Sequence, residues 1–277
     1  MQESIQGTFH FHSTYSHDGR STLPEIASSL RAQGFSFCIM TDHFEDFDAS
    51  KLERYIQETS EVSQNTGFLL IPGIEIHLFG LDTILFPVRE FGELERLALK
   101  GKEPASRLFK VLAHPSKYPW DRVVNHLERF DINGFELWNQ QVDGAHLPPF
   151  RLLQMVRTLS RRNQYRYLFG CDIHNVKLTV ANVISVRRPI KPGAESIINE
   201  LIEGNFECRN WPTSIEYRNG SDRTSFDTWL DALSRRSYRR GKFLRSVRVS
   251  LRSCYKILPR DMRRLLIDVK NHVRNKV

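Results

Sequence analysis

The sequence has little cysteine, no long apolar run and none of the short signatures of the commonest hydrolytic and nucleotide-binding sites. Cys38, Cys171, Cys208 and Cys254 are widely spaced and form no CxxC pair, which argues against a disulfide framework. They read as buried thiols, and a reducing, cytoplasmic location is expected. No segment approaches the ~20 consecutive apolar residues that span a bilayer, and the N-terminal residues lack the apolar run of a signal peptide. Neither GxSxG nor GxxxxGK[ST] occurs, so a serine nucleophile and a P-loop are both unexpected. Repeats and low-complexity stretches are absent as well. With 40% hydrophobic content, 277 residues suffice for one or two ordinary cores.

Acidic residues are scarce in only one region. From Ser234 to Val277, 15 Lys/Arg stand against two Asp/Glu, which leaves 25 against 30 in residues 1–233. The net charge of +8 therefore divides into −5 for the body and +13 for the tail. In that tail, Thr224 to Leu233 reads as a helix with Phe226, Trp229, Leu230 and Leu233 on one side. Phe243, Leu244, Val247, Leu251, Tyr255 and Leu258 recur at helical spacing beside a row of Arg245, Arg248, Arg252 and Lys256. Pro259 breaks the run, and Met262, Leu265, Leu266, Val269 and Val273 mark a further amphipathic helix.

Three readings of the tail compete: stripes docked on the body with solvated arginines, a nucleic-acid contact, and a membrane-surface helix. Every candidate ligand discussed below precedes Asn175, so removing the residues from about 232 onward is expected to leave metal content unchanged. Single-stranded nucleic-acid binding should fall sharply in the shortened chain, and binding by the full chain should weaken steeply with added salt. Equal binding by both chains, measured by fluorescence anisotropy at several salt concentrations, contradicts the charge argument.

The body alternates short apolar runs with helix-like segments, the pattern of an α/β fold with parallel strands. Its first strand ends in Thr8-Phe9-His10-Phe11-His12, where side chains two apart share a face. A lone HxH is most often two polar positions on a half-buried strand. Here strand after strand ends in the same chemistry. Asp18 follows on a loop that Gly19 helps to turn. Thr22-Leu23-Pro24-Glu25 opens a helix that stops near Gly34, and the next strand ends in Thr41-Asp42-His43. A polar helix over about 49–64 precedes Phe68 to Ile71 and then Pro72-Gly73-Ile74-Glu75.

Strands are also predicted over Leu81 to Val88, Leu108 to Ala113 before His114-Pro115, and Ile132 to Trp138 before Asn139. A helix over about 149–162 leads to Tyr167 to Gly170, closing on Cys171-Asp172-Ile173-His174. Val183 to Val186 is a further strand candidate and Ala194 to Ile202 a helix stopped by Gly204. About seven strands with helices or long loops between them predict a closed, TIM-like barrel with its chemistry at the C-terminal strand ends. Nitrogen and oxygen donors without thiolates suit zinc, manganese or iron.

In this order and spacing, HFHSTYSHDG, TDH, PGIE, LAHP and GCDIH resemble the motif series of the PHP (polymerase and histidinol phosphatase) family over roughly residues 5–212. The resemblance implies a distorted (β/α)7 barrel over residues 1–215, followed by the basic helical extension of 216–277. It implies two or three divalent ions: His10, His12, Glu75 and Asp172 on the first, Glu75 and His114 on the second, and Asp18, His43 and His174 on the third. Glu75, His114 and Asp172 take the catalytic part. Two departures stand out. Thr8 occupies a position usually acidic in the family, from which it can still hydrogen-bond a ligand. The strand after PGIE lacks the family's further histidine, leaving Asp82, His77 or a weakly held second ion as the alternatives.

Adjacent divalent ions, ~3.5–4 Å apart, lower the pKa of a coordinated water and neutralise phosphoryl oxygens. The expected activity is hydrolysis of phosphate mono- or diesters of a small molecule or an oligonucleotide by metal-bound hydroxide. Arg20 and Lys117 are candidates to hold the phosphate and His146 to donate a proton. A metal-dependent amide or cyclic-urea hydrolase is the second reading, disfavoured because no lysine ends a strand. A degenerate barrel acting as a binding module is the third.

Overall fold

Hydrophobic periodicity and strong caps define the helices of the N-terminal part. In the computed structural model, which describes residues 4–100, 108–144, 165–187, 193–211 and 215–218, β1 (Ser4–Phe11) leads into α1 (Leu23–Ala32). Thr22 Oγ1 accepts from the Glu25 amide while the Glu25 carboxylate accepts from the Thr22 amide, a reciprocal cap beside Pro24. Leu23, Ile26, Ala27 and Leu30 form the buried stripe. β2 (Phe37–Met40) and β3 (Asp42–His43) follow, then α2 (Ala49–Thr66), capped by Asp48 and ended by Gly67 at φ +67°. α2 buries Leu52, Tyr55, Thr59 and Val62, and ends at Thr66, two residues beyond the expected end near 64.

β4 (Leu69–Ile71) precedes a hairpin of β5 (Ile74–Leu78) and β6 (Leu81–Phe86). Its loop residues, Phe79 and Gly80, both have positive φ, the hand that a two-residue hairpin loop requires. The chain continues through α3 (Phe91–Lys100), β7 (Phe109–Leu112), α4 (Trp120–Arg129), β8 (Gly134–Asn139) and the one-turn α5 (Gln140–Asp143). β9 (Arg166–Gly170), β10 (Asn182–Arg187), α6 (Ala194–Glu203), β11 (Phe206–Asn210) and β12 (Ile215–Arg218) complete it.

The strands form two mixed sheets, in the orders β12-β11-β10-β1-β2-β4 and β3-β5-β6-β7-β8-β9. No closed sheet occurs among the described residues, and several strand pairs are antiparallel where parallel strands were expected. Two local features account for the difference. The two-residue loop at 79–80 folds β6 back antiparallel to β5, and β7 pairs antiparallel with β6. The connection over 171–181 is too short for a helical crossover, and β10 runs antiparallel to β1. The β10–β11–β12 meander carries the first sheet on to Arg218.

The two sheets adjoin through the backbone. Thr41 links β2 of one sheet to β3 of the other, and its amide donates to the Phe11 carbonyl. On the other flank, the amides of Cys171 and Ile173 donate to the carbonyls of Phe9 and His10, and the His12 amide donates to that of Ile173. The C-terminal ends of β1, β3, β7, β8 and β9 are thereby held around one place. Cys38, Cys171 and Cys208 are buried as expected, with burial pushing the last two up to about 12, so they stay protonated. The helix expected over 149–162, His146, Cys254 and every tail element from Thr224 onward lie outside the described residues. Among the described residues no helix is long and apolar enough to cross a membrane.

Candidate metal centre

The ligand candidates leave the strands at points where the backbone departs from strand geometry. His10, His114 and Asp172 have φ of +72°, +27° and +55°, three of the four positive-φ residues other than glycine among the described residues. Such conformations cost ~1–3 kcal/mol each outside glycine and persist only where surrounding bonds enforce them. At His10 the pairing of β1 with β2 shifts register between Phe9 and Phe11, so simple alternation along HxH does not hold. The two imidazoles still lie 5.3 Å apart, centroid to centroid.

Glu75, on β5, is the centre of the arrangement. Its Oε2 lies 3.4 Å from His10 Nε2, 3.5 Å from His12 Nε2 and 3.6 Å from His43 Nδ1. Its Oε1 lies 2.7 Å from His114 Nε2. Asp172 Oδ1 stands 3.6 Å from both His10 Nε2 and His12 Nε2. Asp18 Oδ2 meets His174 Nε2 at 2.9 Å and His43 Nε2 at 3.2 Å, and the His174 ring stacks on His12 at 4.3 Å. All eight ligand candidates from the sequence converge here, in four overlapping groups whose donor atoms lie within 4.8 Å of one another.

Asp42 secures the loop that brings Asp18 in. Its carboxylate accepts from the Ser13 amide at 2.6 Å and the Ser16 hydroxyl at 2.8 Å, while Ser16 Oγ accepts from the His43 amide. Burial pushes Asp42 up to about 6 against those hydrogen bonds. Gly19 is required here for a close approach rather than for a positive φ. A Cβ would sit 1.8 Å from the Ser13 carbonyl oxygen.

The residue that sequence reading missed is Glu136, fully buried on β8. Its Oε1 lies 2.8 Å from His10 Nδ1, and its Oε2 accepts from the His114 amide at 2.7 Å and from Asn139 Nδ2 at 3.0 Å. Asn139 Nδ2 also donates to Asp172 Oδ2. One carboxylate thus holds His10, His114 and Asn139, and Asn139 in turn reaches Asp172. Gly170 makes room for it, since a Cβ there would lie 1.6 Å from Glu136 Oε1. A signal was present: a glutamate inside the apolar run INGFELW has to be paired when buried.

Electrostatics favour a cation at this place. Burial disfavours charge on His10, yet Glu136, Asp172 and Glu75 outweigh it and raise its pKa well above the usual histidine value. Burial, followed by the charges of His10, His174 and His43, holds His12 well below that value. Glu75 and Asp172 are held below the usual carboxylate range by His10 despite burial, so both stay ionised. His10 Nε2, both ring nitrogens of His12, His114 Nδ1 and Asp18 Oδ1 are buried without a hydrogen-bond partner. Unpartnered imidazole nitrogens facing ionised carboxylates have the donor chemistry of a transition-metal site.

The remaining candidates separate. Lys117 lines the same cavity, of about 240 Å³, beside Asp18, His43, Glu75, Asp172 and His174. Arg20 does not line it: its side chain is exposed, and it contributes an amide that donates to the His174 carbonyl. Thr8 Oγ1 lies against Cys171 Sγ and the Asn182 carbonyl rather than a ligand, correcting the role expected for it. His77 is exposed and hydrogen-bonds Asp82 Oδ1 at 2.8 Å, while Asp82 itself groups with Glu75 and His114.

A shared carboxylate among unpartnered imidazoles at the strand ends of an α/β fold defines a candidate metal site. Residues 8–178 match the PHP domain model, more than half of the chain, and the chain belongs to that family. Solved structures that resemble it include the following three. A protein from Bifidobacterium adolescentis, provisionally described as a metal-dependent phosphoesterase, is 14% identical with TM-score 0.48, covering 71% of this chain and 95% of its own. An amidohydrolase from Chromobacterium violaceum is 13% identical with TM-score 0.45, covering 72% and 96%. PsfC from Pseudomonas syringae is 16% identical with TM-score 0.48, covering 86% and 99%. At this distance they say nothing of what this chain acts on. No curated protein matches the sequence.

Proposed function

We propose that this chain hydrolyses phosphate mono- or diesters, of a small molecule or an oligonucleotide end, at two or three divalent ions. The observation that carries the reading is Glu75, whose two oxygens face different ligand groups. His10, His12 and Asp172 would hold one ion with Glu75, His114 another, and Asp18, His43 and His174 a third. When bound, such ions supply Lewis acidity to a water and to a phosphoryl oxygen. The chain supplies positions: Glu136 fixes the His10 ring and the His114 backbone, and Asp42 fixes the loop carrying Asp18. Lys117, on the cavity wall, offers a positive charge to a phosphate entering it. Phosphoryl transfer asks mainly for such placement and charge, without a protein nucleophile.

The test is a panel of phosphate monoesters, phosphodiesters, amides and cyclic ureas, each assayed with added manganese, zinc or iron. Turnover is expected on phosphate esters, with Lys117→Ala raising KM more than it lowers kcat. Amide turnover without ester turnover selects the amidohydrolase reading, and wild-type inactivity throughout selects the binding module.

A further inference from the structure

We infer that Asp82 completes the second ion position with Glu75 and His114, and that a carboxylate here lowers the position's preference for zinc over manganese relative to an imidazole in the same place. The inference rests on the metal-dependent reading above and adds a ligand and a preference to it. Glu75, Asp82 and His114 each offer a donor atom, all within 4.8 Å of one another. His114 is 2% exposed, its Nδ1 has no hydrogen-bond partner, and that atom lies 3.7 Å from Asp82 Oδ2. A buried, unpartnered imidazole nitrogen aimed at a carboxylate is the arrangement a shared cation would complete.

Asp82 is also held in place as ligands are. The Tyr118 hydroxyl donates to its Oδ2 and accepts from its amide at 3.2 Å, while His77 takes its Oδ1 from the solvent side. Oxygen Oδ2 retains a lone pair beyond the one facing Tyr118. His77 is thereby an outer partner of Asp82 rather than a ligand. Carboxylate oxygens suit manganese and magnesium, whereas imidazole-rich sets suit zinc. Exchanging this one oxygen ligand for nitrogen should therefore move the preference.

The experiment strips the full chain with chelator, reloads it with Mn²⁺ or Zn²⁺ alone, and measures stoichiometry and affinity by titration calorimetry, with Mn²⁺ also followed by electron paramagnetic resonance. Asp82→Asn is expected to bind one Mn²⁺ per chain fewer than wild type, with unchanged circular dichroism. Asp82→His is expected to recover the stoichiometry while moving the Zn²⁺ to Mn²⁺ affinity ratio at least ~10-fold toward zinc. Tyr118→Phe should keep the stoichiometry and weaken the second ion ~10-fold or more. Unchanged Mn²⁺ binding in Asp82→Asn, or an unchanged ratio in Asp82→His, overturns the inference while leaving the hydrolase reading intact. A wild-type chain that takes up neither ion overturns both.

Discussion

Replacing Glu75 by alanine is expected to lower turnover on phosphate esters by ~10³-fold or more and to remove metal in the same step. The reason lies in its two oxygens. Oε2 faces His10, His12 and His43, and Oε1 faces His114, so one substitution opens two ligand groups at once. Lewis-acid stabilisation is worth several kcal/mol of a barrier, and each ~1.4 kcal/mol is tenfold in rate. Elemental analysis of protein purified without chelator should show wild type carrying transition metal and the variant depleted of it. His12→Ala, His114→Ala and Asp172→Ala should fall in the same direction, each by less metal than Glu75→Ala. Retained metal together with retained turnover in Glu75→Ala would remove the shared carboxylate from the account.

Glu136→Gln should weaken metal binding by ~10–100-fold, the usual effect of altering a partner behind a metal ligand. Its carboxylate serves three groups, on His10, His114 and Asn139, through two oxygens. Glutamine keeps the size but replaces one acceptor oxygen with a donor, so at least one of those bonds is lost. The negative charge that lifts the His10 pKa is lost with it. Because His10 and His114 are proposed to hold different ions, both affinities should drop together in calorimetric titrations. Asp82→Asn, by contrast, should affect one. A Glu136→Gln protein with wild-type affinity for both ions shows that the ligands hold their orientation without it.

Most of the side chains that cluster were legible in the sequence because strand-end motifs are local. HFH, TDH, PGIE, LAHP and GCDIH each place a donor within a few residues of a predictable strand terminus. The cap of α1 was equally readable, since Thr22 and Glu25 act on each other's amides three residues apart. Lys117 follows the same logic, three residues after His114. Arg20 shows its limit: it is adjacent in sequence to the ligand loop, yet its side chain points to solvent. Glu136 shows the converse. It sits in the middle of β8, far from any motif, and its partners at 10 and 114 are distant in sequence.

Local sequence determined which segments become strands and helices, where they stop, and which imidazoles and carboxylates stand at the stops. These follow from side-chain periodicity, capping and turn chemistry, all of which act over a few residues. The tertiary structure alone decided that β6 and β10 run antiparallel to their neighbours, so that both sheets are mixed. It alone decided that His10, His114 and Asp172 take positive φ, and that Glu136, Asp42 and Asp82 turn toward the ligands. Sheet pairing and buried hydrogen bonds join residues tens to more than a hundred positions apart, and no local pattern encodes which distant partner a buried carboxylate will meet.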